Sequence, residues 1–230
     1  MGRNAGIIQV EDTRRFPTSR IKTGRILWQA DFDYSVEVKA TMGTVSITTA
    51  EGEVIRGSGS LKMETGAVIG NQARIQKNLA ISSVIGTKNA SLAIELLFGF
   101  FNTNVSEILI QLTQTDLSWI ILSRVKWIKS TKQWQYMDSS GNYQNIPDAV
   151  YNYITPGSTG YYAKMSLDLE NKKYKKFMVG AHTHDISAND LYSEAGSNSE
   201  RIEALIQITT DVASPAIAII DDMIISDMEN

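Results

Sequence analysis

Residues Gly160–Ser187, GYYAKMSLDLENKKYKKFMVGAHTHDIS, decide the fold of this chain. Ala163, Met165, Leu167 and Leu169 take the odd positions, and Lys164, Ser166 and Asp168 stand between them. That period of two is the signature of a strand with one buried and one wet face. Glu170-Asn171-Lys172-Lys173 breaks the pattern as a tight polar turn, after which Tyr174, Phe177 and Val179 resume it. Two strands and a turn make a hairpin, and a hairpin needs further strands to bury its apolar side.

Working outward, strand-like segments recur with short polar punctuation: Ile26–Phe32, Ser35–Thr49 with a break near Met42-Gly43, Glu53–Arg56, Leu61–Glu64 and Ala73–Lys77. The most apolar runs, Ser91–Phe101 and Ile108–Thr113, come next, followed by Trp119–Ile128 and Trp134–Tyr136. Asp138–Asn142 is a hairpin loop whose Gly141 can take positive φ. Ser197 and Glu200 have the spacing of a helical capping box, but Ile202, Ala204, Ile206 and Ile208 alternate, so Arg201–Thr210 reads as a strand, as does Ala216–Ser226. Pro17, Pro147, Pro156 and Pro215 fall at proposed element boundaries, where a missing N–H harms no ladder. The expected architecture is all-β: a two-sheet antiparallel sandwich over residues 26–230 behind an extended N-terminal arm, residues 1–25.

At 230 residues the chain can bury a substantial core, and 43% hydrophobic with 20% charged residues is ordinary globular composition. With no cysteine, disulfides and thiolate metal sites are excluded. No run of about 18 apolar residues exists to span a membrane, and the opening residues lack the apolar stretch of a secretory signal, so synthesis in the cytoplasm is expected. Charge is uneven. Arg3, Arg14, Arg15, Arg20, Lys22 and Arg25 face only Glu11 and Asp12 in the first 25 residues, whereas residues 211–230 carry five carboxylates and no Lys or Arg. With Ile7, Ile8 and Phe16 as apolar anchors beside Arg3, Arg14, Arg15 and Arg20, the arm reads either as a solvated tail or as a segment docking on an acidic surface of its own or a neighbouring protein subunit. The acidic body argues against nucleic acid as a partner.

Gly57-Ser58-Gly59-Ser60-Leu61-Lys62, then Lys164–Leu169 with Lys173-Tyr174, then Ile219–Ile225 give the chain a likeness: it resembles the concanavalin A-like lectin/glucanase superfamily, including laminin-G-like and carbohydrate-binding jelly rolls. The resemblance covers roughly residues 26–228, and its motifs are structural rather than catalytic. It implies a jelly-roll sandwich of two curved sheets, and a structural calcium ion near the junction of first and last strands as the one cofactor. Asp31 and Asp33 beside the first body strand, with Asp221 and Asp222 in the last, are the candidate oxygen ligands; the competing reading is strand-end carboxylates paired with lysines or water.

No catalytic residue is assigned. The superfamily's Glu-x-Asp-x-x-Glu glycosidase signature is absent, and the nearest spacing, Asp168-Leu169-Glu170, enters a lysine-rich turn. Arg124, His182 and Tyr174 supply the residue types of a polysaccharide lyase without a motif. His182 and His184 share a strand face and could begin a zinc site, with Asp185 or Asp190 as a third ligand, or simply line a polar outer face. Trp119 and Trp127 share parity with core positions, whereas Trp134, Tyr136 and Tyr143 flank the Asp138–Asn142 loop and are the candidate glycan-stacking platform. The first functional expectation is a non-catalytic structural or adhesion protein, a capsid-decorating or tail-associated component of a bacteriophage virion that docks through its arm. The second is a carbohydrate-binding module, with an extracellular location; the third is a lyase or glycosidase.

Overall fold

The computed structural model describes residues 24–32, 38–50, 53–55, 57–80, 91–115, 118–153, 160–196 and 200–228. Asp33 and the arm residues Arg3, Ile7, Ile8, Arg14, Arg15, Phe16 and Arg20 lie outside them. Among the described residues the chain is all-β, two antiparallel eight-stranded sheets forming a jelly-roll sandwich. Sheet A runs β13 (His182–Asp185), β12 (Lys173–Val179), β11 (Tyr161–Asp168), β6 (Ser91–Phe100), β16 (Ile217–Met228), β4 (Ser60–Glu64), β3 (Thr44–Thr48), with β1 (Gly24–Ala30) along the second half of β16. Sheet B runs β10 (Tyr143–Val150), β9 (Gln133–Met137), β8 (Trp119–Ile128), β7 (Val105–Thr115), β15 (Arg201–Thr210), β5 (Gln72–Ala80), β2 (Lys39–Met42), with β14 (Tyr192–Ala195) beside the first half of β8. The capping-box spacing loses to the alternation, since Arg201–Thr210 pairs on both sides as a central strand.

The hairpin is β11 and β12, turned at Leu169–Lys172, where Lys172 adopts φ 53° and Asp168 accepts from the Asn171 backbone and side-chain N–H groups. The three-residue step from Tyr174 to Phe177 has a cause: the ladder passes from Ser166–Lys176 to Leu167–Tyr174, so Lys175 is bulged and the strand's parity changes. One expectation needs correction. Lys164 and Ser166 are not on a wet face; they are 3% and 0% exposed. Lys164 sits directly opposite Glu95 of β6 and its ammonium bonds that carboxylate, whose second oxygen accepts from Tyr162 Oη at 2.7 Å. A buried charge persists only when paired, and here the pairing crosses two neighbouring strands.

The break near Met42-Gly43 is where the chain changes sheets, from β2 beside β5 to β3 beside β4. Gly43 has φ 68°, and a Cβ there would lie 2.6 Å from the Glu64 carbonyl oxygen and 2.7 Å from the Ala73 Cβ. Glu53–Ile55 is not a strand: Glu53 turns back so that its carboxylate accepts from Thr48 and, at 3.0 Å, from Lys62. Those two contacts, Thr48 foremost, hold its pKa below the usual carboxylate range. Pro147 lies inside β10 rather than at a boundary, tolerated because β10 is an edge strand with a register shift between Asn145 and Val150.

Between the sheets, Trp127, Trp134, Tyr153, Phe98, Phe100 and Phe177 form one aromatic cluster within the core. Each polar handle is satisfied: Trp134 Nε1 donates to Tyr153 Oη at 2.9 Å and Trp127 Nε1 to the Tyr151 carbonyl at 2.9 Å. Trp119, expected near the core, is 44% exposed with the Lys172 ammonium 3.5 Å from its ring centroid.

Candidate functional site

The outer face of sheet B carries a groove of about 430 Å³ lined by Arg74, Glu107, Leu109, Gln111, Arg124, Lys126, Tyr143, Glu203, Leu205 and Gln207. Strand alternation puts these side chains there: on β7 the positions between Ile108, Ile110 and Leu112 point outward, and on β15 those between Ala204, Ile206 and Ile208 do. Two rows cross the sheet. One reads Arg74, Gln207, Leu109, Lys126 and Gln135; the other Gln76, Leu205, Gln111 and Arg124. With strands about 4.8 Å apart, a five-strand row spans about 19 Å, the reach of a short oligomer rather than of a single ring.

The rows obey a local two-fold relation. Glu107–Thr113 of β7 is EILIQLT and Glu203–Thr209 of β15 is EALIQIT, and the two heptads pair antiparallel about the Ile110–Ile206 rung. Gln207 therefore faces Leu109 and Leu205 faces Gln111. The flanking strands repeat the relation: Arg74 of β5 donates through Nε to Gln207 Oε1 at 2.9 Å, and Arg124 of β8 donates through Nε to Gln111 Oε1 at 2.7 Å. Glu107 accepts from Lys126 at 3.1 Å, and Glu203 from Gln76 at 2.8 Å. The floor thus offers two apolar side chains flanked by carboxamides and guanidiniums hydrogen-bonded to one another. Leu109 and Leu205 are each 7% exposed and the two glutamines 6%, recessed yet reachable from solvent. Tyr143 stands at one rim with the Lys126 ammonium 3.9 Å from its ring centroid. Burial raises its phenol above the ordinary pKa while the neighbouring Arg124 guanidinium pulls it down, and the net shift is upward, so the hydroxyl keeps its proton.

Of the three aromatics expected to stack on a glycan, Tyr143 alone lines this groove. Trp134 is 0% exposed in the core, because its parity turns it inward against Phe177 and Tyr153. Tyr136 is half-buried, its ring edge-on to Tyr174 and its hydroxyl donating to Asn189 at 2.7 Å. Tyr174 is likewise core: its hydroxyl bonds the backbone of Arg124 and Met137, and burial pushes its pKa up. Arg124 and Tyr174 therefore lie on opposite faces of sheet B, which separates the residue types read as a lyase set. His184 is held between the Pro147 carbonyl, 3.1 Å from Nδ1, and the Tyr151 hydroxyl, 3.0 Å from Nε2, and His182 lies beside the same tyrosine.

The first and last strands do neighbour one another, since β1 pairs with β16 up to Ala30–Met223, the rung before Asp31. A register shift between Ile220 and Asp222 leaves both Asp221 and Asp222 buried at 2%, with Asp221 accepting from Ser60 Oγ at 2.8 Å. Among the described residues no group of three or more His, Asp or Glu side chains is placed to hold a metal ion. No helix of the described residues is long and apolar enough to cross a membrane.

Sequence reasoning centred on aromatics misses Arg74, Leu109, Gln111, Leu205 and Gln207. The signal that finds them is the repeated E-x-L-I-Q-x-T heptad.

No protein-family model and no curated protein matches the chain. Solved structures do. The CBM2 module of the evolved Dit of Lactobacillus casei BL23 phage J-1 superposes with a TM-score of 0.53 at 13% identity, over 90% of this chain and 97% of that one. Peanut lectin gives 0.52 at 10% identity, over 88% and 97%. The carbohydrate recognition domain of Emp47p gives 0.51 at 8% identity, over 91% and 99%. At such identities the likeness concerns the backbone, and it makes this chain's fold that of the lectin-type jelly rolls.

Proposed function

We propose that this chain is a non-catalytic carbohydrate-binding sandwich that seats a saccharide on the outer face of sheet B. The observation that carries the reading is the groove itself. The hydrogen-bonded carboxamide and guanidinium groups offer donors and acceptors to hydroxyls, and Leu109 and Leu205 offer an apolar floor to the C–H face of a ring. The recognition domain and CBM2 module among the similar folds support it further. Asp168, the nearest approach to a catalytic carboxylate, is engaged in its turn: the Asn171 side-chain and backbone donors hold its pKa below the usual range.

A glycan array probed with the full chain tests this. Binding is expected, and a Gln111→Ala/Gln207→Ala variant that melts like the parent should lose about 1–3 kcal/mol of it. Retention of binding by that variant together with its loss in Trp119→Ala would move the site off the outer face of sheet B and refute the assignment.

The likeness to a phage Dit module favours a second, compatible reading, a virion component of tail or capsid whose residues 1–25 dock on a protein subunit while residues 26–230 form the sandwich. Deleting residues 1–22 should then leave a folded sandwich that assembles poorly; an unchanged oligomeric state and partner affinity would count against it.

A further inference from the structure

The two arginines of the groove differ from the other charged groups around them. Glu107 is matched by Lys126 at 3.1 Å, and Glu203 lies 2.8 Å from Gln76 Nε2 and 4.0 Å from Arg201. Arg74 and Arg124 have no carboxylate partner among the described residues. Arg74 gives Nε and one Nη to the oxygen of Gln207 and reaches Gln72 at 3.4 Å; Arg124 gives Nε to Gln111 and makes a further side-chain hydrogen bond with the Tyr143 hydroxyl. A carboxamide oxygen orients a guanidinium without cancelling its charge. Each arginine is thus held by neutral side chains and has no carboxylate ion pair among the described residues, in a groove lined by three cations and two carboxylates on a chain whose net charge is −3.

We infer that the groove takes a linear acidic saccharide, two of whose carboxylates seat on Arg74 and Arg124 as equivalent half-sites. This rests on the glycan-binding reading above and names its substrate class. A planar carboxylate matches the fork of a guanidinium, and each orienting glutamine keeps its NH₂ to donate to the same anion or a neighbouring hydroxyl. Arg74 on β5 and Arg124 on β8 lie three strand spacings and two residue rises apart, about 16 Å between backbones, and each leans inward to a glutamine of the adjacent strand, the two glutamines being about 8 Å apart, so the half-sites are about 8–16 Å apart. The anions would be carried on separate rings of an extended chain, with the intervening part of the chain over Leu109 and Leu205. The local two-fold adds a demand that an accidental basic patch would not meet: the two arginines contribute alike.

Isothermal titration of the full chain with oligogalacturonate, with the same oligomer after reduction of its carboxyls to alcohols, and with polyglycerol phosphate tests this directly. The uronate should bind at one oligomer per chain, at least about ten-fold tighter than its reduced form, because a charge-assisted hydrogen bond contributes about 1.5–3 kcal/mol. That preference should shrink as salt is raised. Arg74→Gln and Arg124→Gln, which keep a planar donor and are checked for an unchanged melting temperature, should each lose about ten-fold and agree within about three-fold. Arg74→Lys and Arg124→Lys, which keep the charge without the fork, should fall between. Equal affinity for the uronate and its reduced form overturns the inference and leaves the glycan reading standing. So does a loss confined to one arginine. Preference for polyglycerol phosphate overturns the carboxylate assignment, and failure of every saccharide to bind removes both inference and reading.

Discussion

Glu95 and Lys164 show how far a residue's role departs from its place in a pattern. Alternation assigns Lys164 to solvent, and the side chain is indeed on the outer face of sheet A, but that face is closed there and the ammonium must be answered by Glu95. Removing one partner of such a pair exposes the other to a low-dielectric environment, so Glu95→Gln should cost about 3–5 kcal/mol in urea unfolding. Replacing both, as Glu95→Leu/Lys164→Met, should cost much less than the two single changes together. Additive losses would mean that the two groups do not act as a pair. The same limit governs the aromatics. Proximity to a polar loop suggests exposure for Trp134, Tyr136 and Tyr143 alike, yet inward parity and the Tyr153 hydroxyl take Trp134 into the core, and only Tyr143 reaches the groove. Burial depends on what the opposite sheet brings, and local sequence does not contain it.

At the scale of elements, most strands are legible because alternation and punctuation are local. The Ser91–Phe101, Trp119–Ile128, Arg201–Thr210 and Ala216–Ser226 segments match β6, β8, β15 and β16 to within a few residues. β10 escapes notice because Pro147 and its register shift spoil the period, and β14 because four residues carry too little pattern. Hairpin partners are legible, as at β11 and β12, but the remaining ones are not, since they join segments up to about two hundred residues apart, as β1 and β16 do. Gly43 illustrates the point: the break is visible in sequence, whereas the change of sheet at it is not. Gly43→Ala should destabilise by about 2–4 kcal/mol, combining positive φ with a Cβ pressed against Glu64 and Ala73. Gly70, with φ 85° and open space around its would-be Cβ, isolates the backbone part, so Gly70→Ala should cost about 1 kcal/mol. Equal midpoints for the two variants in urea would show that the crossing at Gly43 is not tight.

For the whole molecule, the two-sheet sandwich follows from composition and periodicity, while the candidate site follows from how two distant heptads meet. EILIQLT and EALIQIT are each unremarkable strands, and only their antiparallel pairing, with Arg74 and Arg124 outside them, makes a two-fold groove. The central claim is that this face, rather than the hairpin loop at Asp138–Asn142 or sheet A, holds the saccharide. Side-chain nitrogen resonances report it directly, because Gln111, Gln207 and the two arginine Nε–H groups are the proposed contacts. In a titration of ¹⁵N-labelled protein with the saccharide identified on the array, those four signals should shift together and saturate with the binding isotherm. Saturable binding that leaves all four unmoved, while resonances elsewhere shift, would contradict the account.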